Sequence, residues 1–264
     1  MTPRIVVVSN PHEAGELAAD SIATFVTQAE LSGRDVVLGF ATGSTPLPVY
    51  AELARREICL SYVRGFALDE YVGLPHGHPQ SYASVIEREV VGPLGLDPAR
   101  VLVPDGTADD LAAASDEFER AIQRAGGIDV QLLGIGSNGH LAFNEPGTPL
   151  DSLTHVIELT EQTRRDNSRF FDTLDDVPTH AITQGLGTIS RARELVLLAF
   201  GEGKAAALAA ALEGPISESL PASIIQQHPD VLVLVDEAAA SLLSSRQDSR
   251  EHPQTTHREP ASRR

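Results

Sequence analysis

The chain has 264 residues, 42% hydrophobic and 22% charged, which suits one large α/β domain and is short for two. A formal net charge of −17 argues against nucleic acid and anionic membrane surfaces as partners. No apolar run approaches the roughly 20 residues of a spanning helix, the first residues lack a secretory core, and the single cysteine, Cys59, excludes an internal disulfide framework. That cysteine count fits a reducing cytoplasm, and Cys59 itself reads as a small buried hydrophobe.

In chain order, apolar β-branched runs predict strands at 4–8, 35–40, 64–68, 100–103, 129–135, 155–159, 194–200 and 230–235. Helical patterns fall at 13–31, from 46 onward, at 109–126 and at 204–212. Strands that lack strict alternation are expected where helices cover both sheet faces. The repeated strand–helix–strand order predicts an α/β fold over residues 1–243, a doubly wound, mostly parallel sheet in a single domain. Residues 160–179 are polar, carry no clean strand signal and are expected as a mobile excursion over one edge, a candidate lid. Residues 244–264 have almost no apolar content and are expected as a disordered tail.

Ligands of open α/β sheets bind outside the carboxyl ends of the strands, so polar segments that follow strands matter most. "ATGSTP" (41–46) follows the second strand; Gly43 permits a sharp turn, Ser44 or Thr45 suits a helix N-cap and Pro46 the first helical position. Converging amides there could cradle a phosphate, and the plainer alternative is a capped turn. Asp69 in "LDEYVGL" follows the third strand, as a general base or a cap. "GIGSNGHLAFNEP" (134–146) places His140, the side chain that titrates nearest neutrality, among Asn138, Glu145 and flexible glycines. One histidine with one distant carboxylate is not a metal-ligand set, so no metal is expected. Cations that an anionic ligand needs occur in "TRRDNSRFF" and "GEGK". Of 20 basic residues only Lys204 is a lysine, so the other 19 are arginines. It stands at a helix start, where it opposes the dipole unless an anion is bound.

The segments "ATGSTP", "LDEYVGL", "GIGSNGHLAFNEP", "TRRDNSRFF" and "GEGKAAAL", in that order, resemble the glucosamine-6-phosphate deaminase family, with the similarity running from about residue 4 to 243. The resemblance implies a Rossmann-like core, deamination and isomerisation of a sugar phosphate in amino-sugar catabolism, and no cofactor. It implies Asp69 as the base that moves a proton between C2 and C1, and His140 as the group that opens the ring. Glu145 and Asn138 are its implied partners. Thr42, Gly43, Ser44, Thr45, Arg169 and Lys204 are the implied phosphate ligands. Some members have aspartate where this chain has Asn138, and an amide orients a histidine without relaying a proton. A lactonase or a galactosamine epimer specialist on the same fold, and a non-catalytic sugar-phosphate sensor, are the alternatives.

Regulated members carry basic groups after the NEP motif, where this chain offers His155, Ile157 and Glu158. An acidic group there repels a second phosphate, which implies an unregulated enzyme that is monomeric or weakly associated. Activity against substrate concentration is expected to be hyperbolic and unresponsive to N-acetylglucosamine 6-phosphate. A sigmoidal curve relieved by that ligand would contradict this reading.

Overall fold

The computed structural model describes residues 3–244, so nearly all of the expected tail lies outside the described residues. The strands are β1 (Arg4–Val8), β2 (Val36–Phe40), β3 (Val63–Ala67), β4 (Asp69–Tyr71), β5 (Val101–Leu102), β6 (Val130–Gly134), β7 (His155–Glu158), β8 (His180–Thr183), β9 (Glu194–Ala199) and β10 (Val231–Asp236). Seven of them form one sheet in the order β1-β10-β9-β6-β2-β3-β5, with every pairing parallel. β2 and β9 are buried along their whole length, which explains their unbroken apolar runs.

From β2 the chain moves outward through β3 to β5, then returns to the other flank of β2 with β6 and continues through β9 and β10. The order therefore reverses between β2 and β6, and the connections leaving those two strands part there. The helix Pro11–Ser32 is capped by the Asn10 side chain, which accepts from Glu13 N, and ends at Gly33 in the left-handed region. It packs so closely on the helix Leu47–Arg55 that a Cβ at Gly15 would lie 2.6 Å from the Pro48 carbonyl oxygen.

A second, antiparallel sheet has the order β4-β8-β7. The run at 155–159, expected within the main sheet, belongs here. β4 and β8 have no counterpart in the predicted strands, because stretches of three and four residues carrying Asp, Glu, His and Thr read as loop. Tyr82, Phe143 and Phe171 pack around Tyr71 with ring centroids 4.8–5.8 Å from its own. Residues 160–179 carry helical structure and no strand, in keeping with the missing strand signal. They form a helix, Glu161–Asn167, capped by Thr160, and two short 3-10 turns, tied together by Arg164 donating to the Leu174 and Val177 carbonyls. Cys59 corrects another expectation, since it is exposed beside Ser61. It sits in the turn before β3, where no element covers it.

At the amino ends of the strands the buried Asp129 carboxylate accepts from Val37 N at 2.8 Å and pairs with Arg34 at 3.0 Å and Arg193 at 2.8 Å. One side chain thus joins the entrances of β2, β6 and β9. Asp129→Ala leaves a buried amide and two guanidinium groups without their acceptor, and is expected to cost about 2–4 kcal/mol. The midpoint of urea unfolding measures it.

Candidate active site

A cavity of about 350 Å³ opens at the carboxyl ends of β2, β3, β6 and β9, within the range of small-molecule sites. Of the ten residues singled out in the sequence, eight line it: Thr42, Gly43, Ser44, Thr45, Asp69, His140, Arg169 and Lys204. Asn138 and Glu145 do not, and stand behind the imidazole.

One end of the cavity is cationic. Gly43 turns at φ 84°, a conformation that L side chains rarely adopt, and the chain enters the helix Leu47–Arg55 at Pro46. The expected cap by Ser44 or Thr45 does not form, since Pro46 holds the cap position and no side chain bonds to the first turn. The amino end of this helix is therefore left open toward the cavity, a favourable place for an anion. Lys204 holds the cap position of the helix Ala205–Glu213, and burial pushes its ammonium pKa down. The Asp166 charge opposes that shift and Arg169 adds to it. Arg169 lies over the Phe170 ring, 4.8 Å from its centroid. Among the described residues neither cation closes an ion pair.

The lining also carries two titratable groups, His140 and Asp69. His140 lies so close to the bend that a Cβ on Gly136 would be 2.4 Å from the ring, and Gly139 turns at φ 82° to bring it there. Two residues on, Ala142 holds φ 52°, the one non-glycine in the left-handed region among the described residues. Asn144 pins this turn by donating to the Leu141 and Gln184 carbonyls at 2.9 and 2.8 Å. Asn138 accepts from His140 N at 3.1 Å and donates to Glu145 Oε2 at 2.8 Å. Its contacts are with the backbone and the carboxylate, so it orients the loop and not the ring directly. Glu145 Oε2 is 3.9 Å from His140 Nδ1, a buried nitrogen without a hydrogen-bond partner. Its other oxygen accepts from Thr160 N and Oγ1 at 3.1 Å.

Burial pushes the His140 pKa down, Glu145 works against that, Lys204 adds to it and Asp166 opposes it. Asp69 follows β3 as expected, two residues beyond its end, and there it opens β4. Burial raises its pKa well above the usual carboxylate range, and the Glu70 charge reinforces the rise. The two acids have separate duties. Glu70 accepts from Tyr82 N and Ala83 N at 2.8 Å and so caps the helix Tyr82–Ile86, while the Asp69 carboxylate bonds to no described residue.

Several cavity residues carried no signal in the sequence, chiefly Ser137, Asp166 and Tyr82. Residues 134–139 also carry the G-x-G-x-x-G spacing of dinucleotide sites. Such sites need a helix starting at the third glycine, and here the first helix after β6 begins at Glu161. The one histidine–carboxylate group spaced for a metal among the described residues, His12, Glu16 and Glu52, lies away from the cavity lining.

The His140 environment makes a signed prediction. Its imidazole resonance is expected to titrate below the ordinary histidine value. Glu145→Gln, which removes the charge favouring the imidazolium, is expected to lower the midpoint further. An NMR titration in which that substitution raises the midpoint would refute the arrangement.

Residues 9–234 match the family of glucosamine-6-phosphate isomerases and 6-phosphogluconolactonase. The chain is 55% identical over 243 residues to a glucosamine-6-phosphate deaminase of Rhodococcus opacus (strain B4), covering 90% of this chain and 92% of the relative. It is 53% identical over 254 residues to one of Bifidobacterium longum (strain DJO10A), covering 91% and 93%. A solved monomeric glucosamine-6-phosphate deaminase, 40% identical, superposes with a TM-score of 0.87 over 90% of this chain and 99% of that one. A 6-phosphogluconolactonase from Trypanosoma cruzi, 21% identical with a TM-score of 0.75 over 93% and 99%, shares the fold. The chain belongs to the family of glucosamine-6-phosphate isomerases and 6-phosphogluconolactonase.

Proposed function

We propose that the chain converts glucosamine 6-phosphate and water to fructose 6-phosphate and ammonia. The observation that carries this reading is one cavity with the desolvated Asp69 and His140 on its walls and Lys204, Arg169 and an open helix terminus at its cationic end. The phosphate is held by Lys204, Arg169 and the 42–45 backbone, which fixes the sugar without touching the reacting carbons. His140, kept neutral by burial, takes the proton from O1 and delivers one to O5, opening the ring. Asp69, a stronger base for being desolvated, takes the C2 proton and returns it to C1 through an enolamine. Water then adds at C2 and ammonia leaves, so the net change is one water consumed and one ammonia released. Every step moves protons or water, and the reading needs no redox cofactor or metal.

Asn138 and Glu145 act through His140 as positioning residues, with Thr160 fixing the far oxygen of Glu145. The helix Glu161–Asn167 and the turn after it, which supply Asp166 and Arg169 to the cavity wall, serve as the lid. The enzyme works as a cytoplasmic monomer. No helix among the described residues is long and apolar enough to cross a membrane. Lactone hydrolysis, the reaction named for more distant relatives of the same fold, gives no task to a base placed for C2.

Incubation with glucosamine 6-phosphate should release ammonium and fructose 6-phosphate in equal amounts, and faster than the galactosamine epimer does. Asp69→Asn should abolish exchange of the C2 proton with deuterated water, by at least about 10³-fold, while substrate affinity stays within about twofold. Retained exchange would reject Asp69 as the base.

A further inference from the structure

The cationic end of the cavity contains an acid that the reaction scheme does not use. Asp166, on the helix Glu161–Asn167, lines the same cavity as Lys204 and Arg169. Two hydrogen bonds aim its carboxylate: Gln162 Nε2 donates to Oδ1 at 2.8 Å, and Ser137 Oγ donates to Oδ2 at 3.1 Å. The first comes from its own helix and the second from the bend that carries His140. The carboxylate is thereby held in the wall without closing an ion pair on either cation. Asp166 is itself exposed, at the rim of the cavity, so these two bonds set where its charge sits rather than bury it.

We propose that Asp166 is a built-in competitor for the substrate's phosphate, a fixed anion that weakens anion binding by the Lys204–Arg169 pocket. The inference rests on the phosphate end of the reading above. With Asp166 charged, two cations face one anion, so the pocket presents a net charge of one instead of two. A phosphate dianion entering beside a fixed carboxylate meets like-charge repulsion, which salt weakens because Asp166 and Arg169 are both exposed and only Lys204 is half-buried. The same carboxylate favours the charged forms of Lys204 and His140, against the larger effect of burial. The consequence is a weaker hold on any phosphate group, substrate and product alike, which favours release of product and raises KM. Asp166 is in this sense a positioning residue for charge, and it bonds to none of the groups assigned to the chemistry.

Calorimetric titration with inorganic phosphate tests this without requiring turnover. Only heat lost in Lys204→Met is assigned to this pocket. Asp166→Asn keeps the shape and the acceptor for Ser137, and is expected to tighten phosphate binding by about 5- to 10-fold, with the gain shrinking as salt is raised. Asp166→Glu keeps the charge and is expected to stay within about twofold of the parent. In turnover, Asp166→Asn lowers KM and does not raise kcat. Unchanged or weaker phosphate binding in Asp166→Asn, or equal tightening in Asp166→Glu, overturns the proposal. A chain that gains phosphate affinity in Asp166→Asn but releases no ammonium upholds it while the deaminase reading fails. Ammonium release with unaltered phosphate affinity does the reverse.

Discussion

Parallel strands send all their outgoing connections from one edge of the sheet, and a reversal of strand order forces two of those connections apart. Here the reversal lies between β2 and β6. The segment after β2 turns at Gly43 into an uncapped helix, and the segment after β6 turns at Gly136 and Gly139 into the histidine bend. Everything functional is arranged around the gap between them. The register of the amino ends matters for the same reason, since Asp129 clamps β2, β6 and β9 where they enter the sheet. A slip of one of these strands would move a wall of the cavity.

Burial in this gap acts on all three titratable groups in the same sense, toward the uncharged form. It raises Asp69 and lowers His140 and Lys204. The neighbours then divide them. Glu70 pushes Asp69 further in the direction burial sets, whereas Glu145 and Asp166 pull His140 back toward protonation. A carboxylate made more basic and an imidazole balanced between desolvation and a nearby acid suit two different proton transfers. One cavity holds both because Asp69 opens a strand and His140 sits in a bend, with separate supports: pairing with β8 for the first and the Asn138–Glu145–Thr160 chain for the second.

The main sheet was legible because parallel strands under helices leave largely apolar runs, and all seven of its strands overlap the predicted ones, even where Arg64 interrupts β3 and Gln131 interrupts β6. The small antiparallel sheet was not, for β4 contains the two acids Asp69 and Glu70, and its stability comes from pairing with β8, a partner more than a hundred residues away. The glycines of the histidine bend were readable, yet the reason for Gly136 is the ring packed against it, which no local pattern carries. Ser44 and Thr45 looked like helix caps, since their residue types favour that role, and three-dimensional context left the helix open instead. Asp166 was invisible for another reason. In a chain with 37 acidic residues a single exposed aspartate in a polar segment is unremarkable until it is found lining the cavity beside Lys204 and Arg169.

The one lysine follows from the same electrostatics. A chain that uses arginine at every other basic position places its single ammonium where a cation loses much of its water. A guanidinium brings five donors in a plane and stays charged, so burying it without five acceptors leaves several unsatisfied. An ammonium brings three, on a flexible stem, and can shed its proton if the cost of burial demands it. Arg169, by contrast, lies at the exposed mouth, where its face rests on Phe170 and its edge reaches water. The deep cation must survive without a ligand and the outer one need not. That difference in solvation, rather than charge alone, assigns lysine to position 204 and arginine to position 169.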